Sequence, residues 1–499
     1  MRADSQSPRY CPLTQPFECL SGYTYPLSVP PTVTPSSLRP VITIVGGGFA
    51  GSALAVQLYR QPGLSGADIH LIEPREKPGP GLAYTARRPE YLLNVRPGAL
   101  SFYHEQPAHF LHWLQQQPEA RQGLPDFASR ATYGRYLAEE VAAVLAAPSP
   151  SGNRVHWHHS KALAASPLPT GLRAVELASG EVIASHYVVL ALGNFPPPPP
   201  AGPDLAYLEH PGYHADPWAA GNLRRIGAHD SVLLIGSGLT AVDVLLALRQ
   251  DGHEAPVTVV AGHGRWPAAH GKPGPAYPSF YAELAGETTV SGVLRTVRRH
   301  MREAAAQGLD WRPVLDSLRP HLGHIWAAWP LAEQRLFLRH WAGIWSAARH
   351  RSPPENAAAL AALTRTGKVR LTLGRVSEIK PFGNHLEVRI KPGNRPGTWY
   401  PMQHVVCCAG PLLDYSRIQE PLVQQLREAG ELTPDPLRLG MLTDEHGALL
   451  SRQGHASAQL FTLGASRRPA YFESTAVPEL RQQAAALARE LTQRMSKTA

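Results

Sequence analysis

The run Val41-Ile42-Thr43-Ile44-Val45-Gly46-Gly47-Gly48-Phe49-Ala50-Gly51-Ser52-Ala53-Leu54 restricts the fold more than any other stretch of the chain. Its first five residues are all β-branched, four of them apolar and none charged. That pattern predicts a strand covered on both faces, as in a parallel sheet. Gly46, Gly48 and Gly51 then stand at the spacing of a dinucleotide-binding turn. In such a turn the first glycine permits the tight bend, the second lets a pyrophosphate approach the backbone, and the third lets the helix pack on the strand. Phe49 and Ala50 open the helix, where free N–H groups and the helix dipole attract phosphate. Ala67 to Ile72 reads as the second strand, and Glu73 follows it, somewhat beyond the usual gap of about 20 residues. A carboxylate there can accept hydrogen bonds from a ribose diol. A glycine-rich turn without a ligand is the alternative; strand, helix and acid together argue against it.

The pattern recurs. Ser231 to Ile235 reads as an apolar strand, Gly236-Ser237-Gly238-Leu239-Thr240-Ala241 as the turn, and the following residues as a helix. Ala241 replaces the third glycine, an accepted small substitute. The next strand, Val257 to Val260, is followed by no acid. It runs instead into Ala261-Gly262-His263-Gly264-Arg265. An acid would repel a ribose 2′-phosphate and an arginine would attract it, so His263 and Arg265 favour NADP over NAD. A surface cation is the other reading of Arg265.

Between and after these units the chain alternates. Residues 1–40 are rich in Ser, Pro and Thr and read as a disordered arm. Pro74 to Ser101 is a long irregular stretch whose Tyr84, Asn94, Arg96 and Ser101 are candidates to line a cofactor groove. Short strands are expected at 154–158, 171–177, 180–183 and 187–192. The last ends in Gly193, which permits close approach to a dinucleotide, and leads to a stiff proline run, Pro196 to Pro200. From 283 to 363 the pattern is helical. Trp326, Trp329, Phe337, Trp341 and Trp345 recur there at roughly helical spacing, as a core stripe or as a substrate cap. Strands return at 369–373, 386–390, 405–408 and 459–463. Gly464 and Thr475 then precede a long helix, Leu480 to Met495, whose start can direct N–H groups at an electron-rich ring.

Composition excludes several classes. No apolar run approaches the roughly 20 residues of a spanning helix, and no basic-then-apolar leader opens the chain, so a cytoplasmic protein is expected. Net charge is +9, but the positive residues are scattered rather than clustered, which argues against nucleic-acid binding. Of the four cysteines, Cys11, Cys19, Cys407 and Cys408, none forms a C-x-x-C pair. Cys407 and Cys408 read as core residues of a strand, and dithiol redox chemistry is not expected. His321 and His324 lack an acidic companion at ligand spacing, and no metal site is expected.

Gly46-x-Gly48-x-x-Gly51, Gly81-Leu82-Ala83-Tyr84, Leu93-Asn94-Val95, Asp310-Trp311-Arg312, Phe337-Leu338-Arg339-His340 and the segment from Glu473 to Arg481 together resemble the bacterial FAD-NAD(P)-binding family of flavoproteins. In layout the chain is similar to flavin-containing monooxygenases and to lysine and ornithine N-hydroxylases. The resemblance runs from Val41 to the C-terminus. It implies an α/β protein with two Rossmann-like dinucleotide-binding domains, for FAD and NAD(P), and a helical insertion. The FAD domain would occupy 41–205 and 401–499. The NADP domain would occupy 206–400, with the insertion at about 283–363. FAD would lie on Gly46, Gly48, Phe49, Ala50, Gly51, Glu73, Tyr84, Asn94, Ser101, Gly193, Gly464 and Thr475. NADPH would lie on Gly236, Ser237, Gly238, Leu239, Thr240, His263 and Arg265.

Two such cofactors imply hydride transfer from nicotinamide to flavin, with the protein supplying position and exclusion of water. Without a cysteine pair, O₂ is the expected acceptor. The expected activity is a monooxygenase that oxygenates a nitrogen or sulfur of a small metabolite through a flavin C4a-hydroperoxide. A flavin dehydrogenase or reductase acting on an organic acceptor, and a low-turnover flavoprotein with a sensing or interaction role, are the alternatives. No side chain is singled out as catalytic acid or base, because the two cofactors carry the chemistry.

Overall fold

A strand buried on both faces needs parallel neighbours, and in the computed structural model Val41–Val45 has one on each side. The structure describes residues 39–85, 88–219 and 221–498. The expected N-terminal arm lies outside the described residues except for its last two positions.

β1 (Val41–Val45) leads through α1 (Phe49–Arg60) to β2 (Asp68–Ile72), with Val41 opposite Asp68 and Val45 opposite Ile72. Parallel neighbours require a crossover, and α1 supplies it. The irregular stretch that follows holds only the short α2 (Gly81–Tyr84). Then α3 (His109–Gln115) and α4 (Arg130–Ala146) lead to β3 (Arg154–His158) at the sheet edge. β4 (Ala162–Pro167), β5 (Arg173–Leu177) and β6 (Val182–Ser185) form a separate antiparallel sheet, and β7 (Tyr187–Leu190) returns beside β1. β4 escapes sequence reading because Ala162-Leu163-Ala164-Ala165-Ser166 has no β-branched residue. Its pairing with β5 makes it a strand.

The second unit opens with β8 (Tyr213–His214), β9 (Val232–Ile235), α5 (Leu239–Gln250) and β10 (Val257–Ala261). Between β10 and its parallel neighbour β11 (Val369–Leu373) lie α6 (Val290–Ala306), α7 (Trp311–Asp316), α8 (Leu322–Ala328), α9 (Leu331–His340), α10 (Ala342–Arg349) and α11 (Pro354–Arg365). Leu360 of α11 shares a core with Val244, Leu245 and Leu248 of α5. α11 is therefore the crossover helix proper, and the insertion is spliced into the crossover ahead of it, ending before the expected 363.

β12 (Arg375–Phe382), β13 (His385–Lys391) and β14 (Thr398–Met402) make an antiparallel sheet. β15 (His404–Cys407) then enters the second sheet, whose order β11-β10-β9-β15-β8 is parallel throughout. The domain boundary expected at 401 is corrected by this strand. Val405 and Val406 are fully buried between β9 and β8, and an apolar run suits either sheet equally, so only pairing decides its owner. α12 (Pro421–Glu428), β16 (Ala448–Leu450) and β17 (Ala456–Thr462) return to the first sheet. Its order is β16-β17-β7-β1-β2-β3, with only β16 antiparallel to its neighbour. α13 (Arg468–Tyr471) and α14 (Val477–Thr498) end the chain. Leu480, Ala484, Leu487 and Leu491 of α14 join Ala53 and Leu54 of α1 in one core. The two nucleotide units are tied by Arg88, which donates to both oxygens of Asp251 at 2.9 and 2.7 Å. Among the described residues, no helix is long and apolar enough to cross a membrane.

Candidate functional site

The first turn is shaped by what its glycines exclude. Gly46 has φ +104°, and a Cβ there would stand 2.3 Å from the Ala191 carbonyl oxygen. A Cβ on Gly51 would stand 1.9 Å from the Gly46 carbonyl oxygen, so only glycine lets α1 close on β1. Gly48 faces Gly81, itself at φ +55°, where a Cβ would come within 2.8 Å of the Gly48 Cα. Two glycines from distant parts of the chain thus leave a side-chain-free cradle at the start of α1, the place where a pyrophosphate is held. Phe49 stacks on Phe102, with centroids 5.1 Å apart and planes 9° from parallel. Its ring is core, and its backbone N–H is what it offers a ligand.

Glu73 directly follows β2 as a buried carboxylate, 1 % exposed. The backbone N–H of Gly47 donates to one oxygen at 2.9 Å, while Arg75 donates to the other through its backbone N–H at 2.9 Å and its guanidinium at 3.0 Å. A cleft of about 1030 Å³ starts at Pro74 and Arg75 and runs past Tyr84, Trp157 and His159. Tyr84 stands edge-on to Tyr133, centroids 4.9 Å apart.

The C-terminal part closes on the same turn. A Cβ on Gly464 would lie 3.4 Å from that of Ala50. The Gly464 N–H donates to Gln483 at 2.9 Å, Gln483 donates to the Ser474 hydroxyl at 2.8 Å, and Ser474 donates back to the Gly464 carbonyl. This ring of bonds sets the entry to α14 and leaves Thr475 exposed at the bend. Gly193 is exposed at φ +69°, with open space at its Cβ position. Ser101 is placed otherwise than expected. It is fully buried, and its hydroxyl is committed to a local turn, accepting from the Tyr103 N–H at 2.8 Å. Asn94 is pinned through its backbone, its carbonyl accepting from His270 Nε2 at 2.9 Å. Burial lowers the His270 pKa. Arg96 lies over Phe127 and pairs with Asp126 at 3.1 Å. With His270, Lys272, Asp310 and Arg312 it lines a polar cleft of about 510 Å³ where the insertion meets this loop.

The second turn has the same form. Gly236 has φ +105°, and a Cβ on it would stand 2.7 Å from the Cys408 carbonyl oxygen. At Gly238, the residue before α5, nothing lies within 4 Å of a Cβ position, so the space above the helix start is open. Leu239 and Thr240 begin that helix with no side-chain cap on its N–H groups. Ser237 donates to the Arg265 carbonyl at 2.7 Å and His263 Nδ1 accepts from the Arg265 N–H at 3.3 Å, which holds the basic pair beside the turn. Burial, with Arg265 adding repulsion, lowers the His263 pKa. On the buried face of that helix Asp243 lies 3.4 Å from Arg130 of the first unit, and burial pushes its carboxyl up to about 7.

The insertion docks on the segment before α14. Trp345 donates to Glu473 and Trp326 to the Pro469 carbonyl, both at 2.8 Å, and Arg319 forks onto Glu479. Trp326, Trp329 and Phe337 are buried in its core. His321 stacks on Tyr281, centroids 4.2 Å apart. Cys407 and Cys408 are buried, and burial raises both thiol pKa values, the opposite of a reactive thiolate.

Sequence reading missed Gly47, Gly81, Ser474 and Gln483. Gly81 stood within a motif of the resemblance, yet only the fold shows that it faces Gly48.

Residues 43–195 match a family model described as FAD-NAD(P)-binding. They form an FAD-NAD(P)-binding domain. The match covers β1, its glycine turn, Glu73 and β7. No curated protein sequence matches the chain. Among solved structures, an ornithine N-hydroxylase from Kutzneria sp. 744 aligns with a TM-score of 0.62 at 15 % identity, over 91 % of this chain and 99 % of that one. An L-lysine 6-monooxygenase from Pseudomonas syringae gives 0.60 at 17 %, over 91 % and 99 %. An FAD-bound cadaverine monooxygenase of the desferrioxamine pathway from Erwinia amylovora gives 0.60 at 13 %, over 92 % and 95 %. The chain shares their fold over 91–92 % of its length, which is the layout expected from sequence.

Proposed function

We propose that the chain is a cytoplasmic, FAD-dependent, NADPH-using monooxygenase that oxygenates a nitrogen of a small amine, with O₂ as co-substrate. The observation that carries this reading is the pairing, in one chain, of two glycine turns with opposite second-strand chemistry. One ends in buried Glu73, suited to a ribose diol, and the other in His263 and Arg265, suited to a 2′-phosphate. The choice of nitrogen is supported by the ornithine, lysine and cadaverine enzymes that share the fold.

Bound FAD supplies hydride acceptance from the nicotinamide and activation of O₂. The chain's own residues bind, orient and shield. Gly48 and Gly81 leave room for the pyrophosphate, and the free N–H groups at the start of α1 neutralise it. Glu73 holds the adenosine ribose, oriented by the Gly47 N–H. The Gly464–Ser474–Gln483 ring fixes the start of α14 against Ala50, and Arg319, Trp326 and Trp345 seat the insertion on that segment to exclude water.

The test is stopped-flow spectroscopy of the NADPH-reduced holoenzyme mixed with O₂. A transient near-ultraviolet absorbance should precede return of the oxidised flavin spectrum, and an amine substrate should shorten its life. Direct reoxidation with full peroxide release across a panel of diamines and amino acids would overturn the oxygenase reading in favour of a reductase. Failure of NADPH to reduce the flavin would overturn both.

A further inference from the structure

The insertion, together with Phe472, lines a cavity of about 280 Å³. Val293 and Val297 of α6, Trp326, Trp329, Phe337 and Phe472 wall it. Protein interiors pack to the density of organic crystals, and an engineered apolar cavity of roughly 150 Å³ already takes up benzene. The wall is held at a cost. Phe472 sits at φ +58°, a region bulky residues avoid. It is clamped between Trp326, stacked at 4.9 Å, and Phe337, edge-on at 5.2 Å.

The mouth is basic. Arg298 and Met301 line both this cavity and an adjoining outer one, to which Arg295 and Arg302 also belong. Arg295, Arg298 and Arg302 share one face of α6, at helical spacing, and all are exposed. Their neighbour Arg299 is neutralised by Glu283 and Glu303. Glu287 interacts electrostatically with Arg295, but among the described residues no carboxylate is ion-paired with Arg295, Arg298 or Arg302. Arg298 is steadied over the Trp341 ring, 5.5 Å from its centroid, at the rim.

We infer that this cavity and its arginine row bind a single-chain anionic amphiphile, with the chain inside and the carboxylate at Arg298, flanked by Arg295 and Arg302. By proportion with the cavity that takes six-carbon benzene, it holds about ten carbons. A single cavity of this volume beside the arginines suits one detached chain rather than a lipid leaflet. The site uses none of the residues assigned to either nucleotide and stands independently of the redox reading.

The test titrates the full-length, flavin-loaded protein with decanoate below its micelle concentration, read by tryptophan emission and by calorimetry. Saturable one-to-one binding is expected, with decanoate about tenfold tighter than decanol or decyltrimethylammonium. Arg298→Glu should abolish that preference at unchanged flavin content. Ala348→Phe, which fills the cavity, should abolish decanoate binding; Ile344→Trp at the rim is the second variant should the first misfold. Absence of saturable decanoate binding, equal affinity for decanol, or binding unaltered by both filling variants would overturn the inference. So would binding to phosphatidylglycerol vesicles without binding of monomeric decanoate. Loss of NADPH-dependent flavin reduction with decanoate binding intact would count against the redox reading alone.

Discussion

The backbone N–H of Gly47 donates to the Glu73 carboxylate across 2.9 Å, joining the first glycine turn to the end of β2. That bond orients a buried carboxylate, the group proposed to accept from the ribose diol. Glu73→Ala removes the acceptor for the Gly47 N–H, the partner of Arg75 and the ribose contact together. It is expected to weaken FAD binding by about 10–100-fold, since bonds to charged groups contribute about 1.5–3 kcal/mol. Glu73→Gln should lose less, because an amide oxygen can still accept from Gly47. The flavin-to-protein absorbance ratio after dialysis checks both; full flavin retention by Glu73→Ala would exclude the ribose role.

Glycine substitutions separate ligand contact from backbone need. Gly81→Ala places a Cβ 2.8 Å from the Gly48 Cα at φ +55°, so the cradle must open. The variant should purify with little bound FAD and lose about 1–2 kcal/mol of stability. Gly238→Ala meets nothing within 4 Å and has φ −76°. Its stability should stay within about 0.5 kcal/mol of the parent. A rise in KM for NADPH in that variant therefore reports the coenzyme itself. Circular dichroism melts and steady-state kinetics make the comparison; a large loss of stability in Gly238→Ala would show that the space above α5 is not open.

What sequence reveals here follows from range. Gly46, Gly48, Gly51 and Glu73 are legible because a tight strand–turn–helix unit makes local demands on residue type, and the same holds at Gly236 and Gly238. Gly81 opposite Gly48 and the Gly464–Ser474–Gln483 ring are set by contacts between distant segments, which no local pattern encodes. Ser101 misleads for the same reason. A serine in an irregular stretch has the same local signature whether it faces a groove or, as here, closes a buried turn with Tyr103. β15 has the apolar run of a central strand, and nothing in His404 to Cys407 says which of two parallel sheets it joins.

A buried and a half-buried group give stability opposite pH slopes. Burial raises the Asp243 carboxyl to about 7 against 3.8 when free. Between those values the folded state holds a proton the unfolded state has lost, so this contribution is present at low pH and lost as pH rises through about 7. Asp243→Asn should remove that fall, recovering on the order of 2–4 kcal/mol at pH 8. His70 goes the other way. Burial, then His158 at 2.8 Å and His156, lower it to about 4 from 6.5. Its contribution is present above 6.5 and lost as pH falls through about 4. His70→Gln should flatten the acid side only. Thermal melts of the parent and both variants from pH 4 to 8 give the two difference curves, and parallel curves would refute the assignments.

The proposed coenzyme choice rests on the basic side of the second turn. The Arg265 carbonyl is held by Ser237, which keeps the residue beside the turn. A second arginine stands close. Arg375, at the start of β12, places its Nε 3.7 Å from a Cβ position on Gly262. It lies far downstream in sequence and only the fold brings it here. Arginine meets phosphate through paired N–H groups, and losing such a contact costs about tenfold or more in affinity. Arg265→Ala should raise KM for NADPH by about tenfold and leave NADH nearly unchanged. Arg375→Ala should have a smaller effect of the same kind, and the double variant should use the two coenzymes alike. Steady-state reduction of the flavin by each coenzyme measures all four ratios. Equal changes for NADPH and NADH in Arg265→Ala would show that the arginine reads something other than the 2′-phosphate.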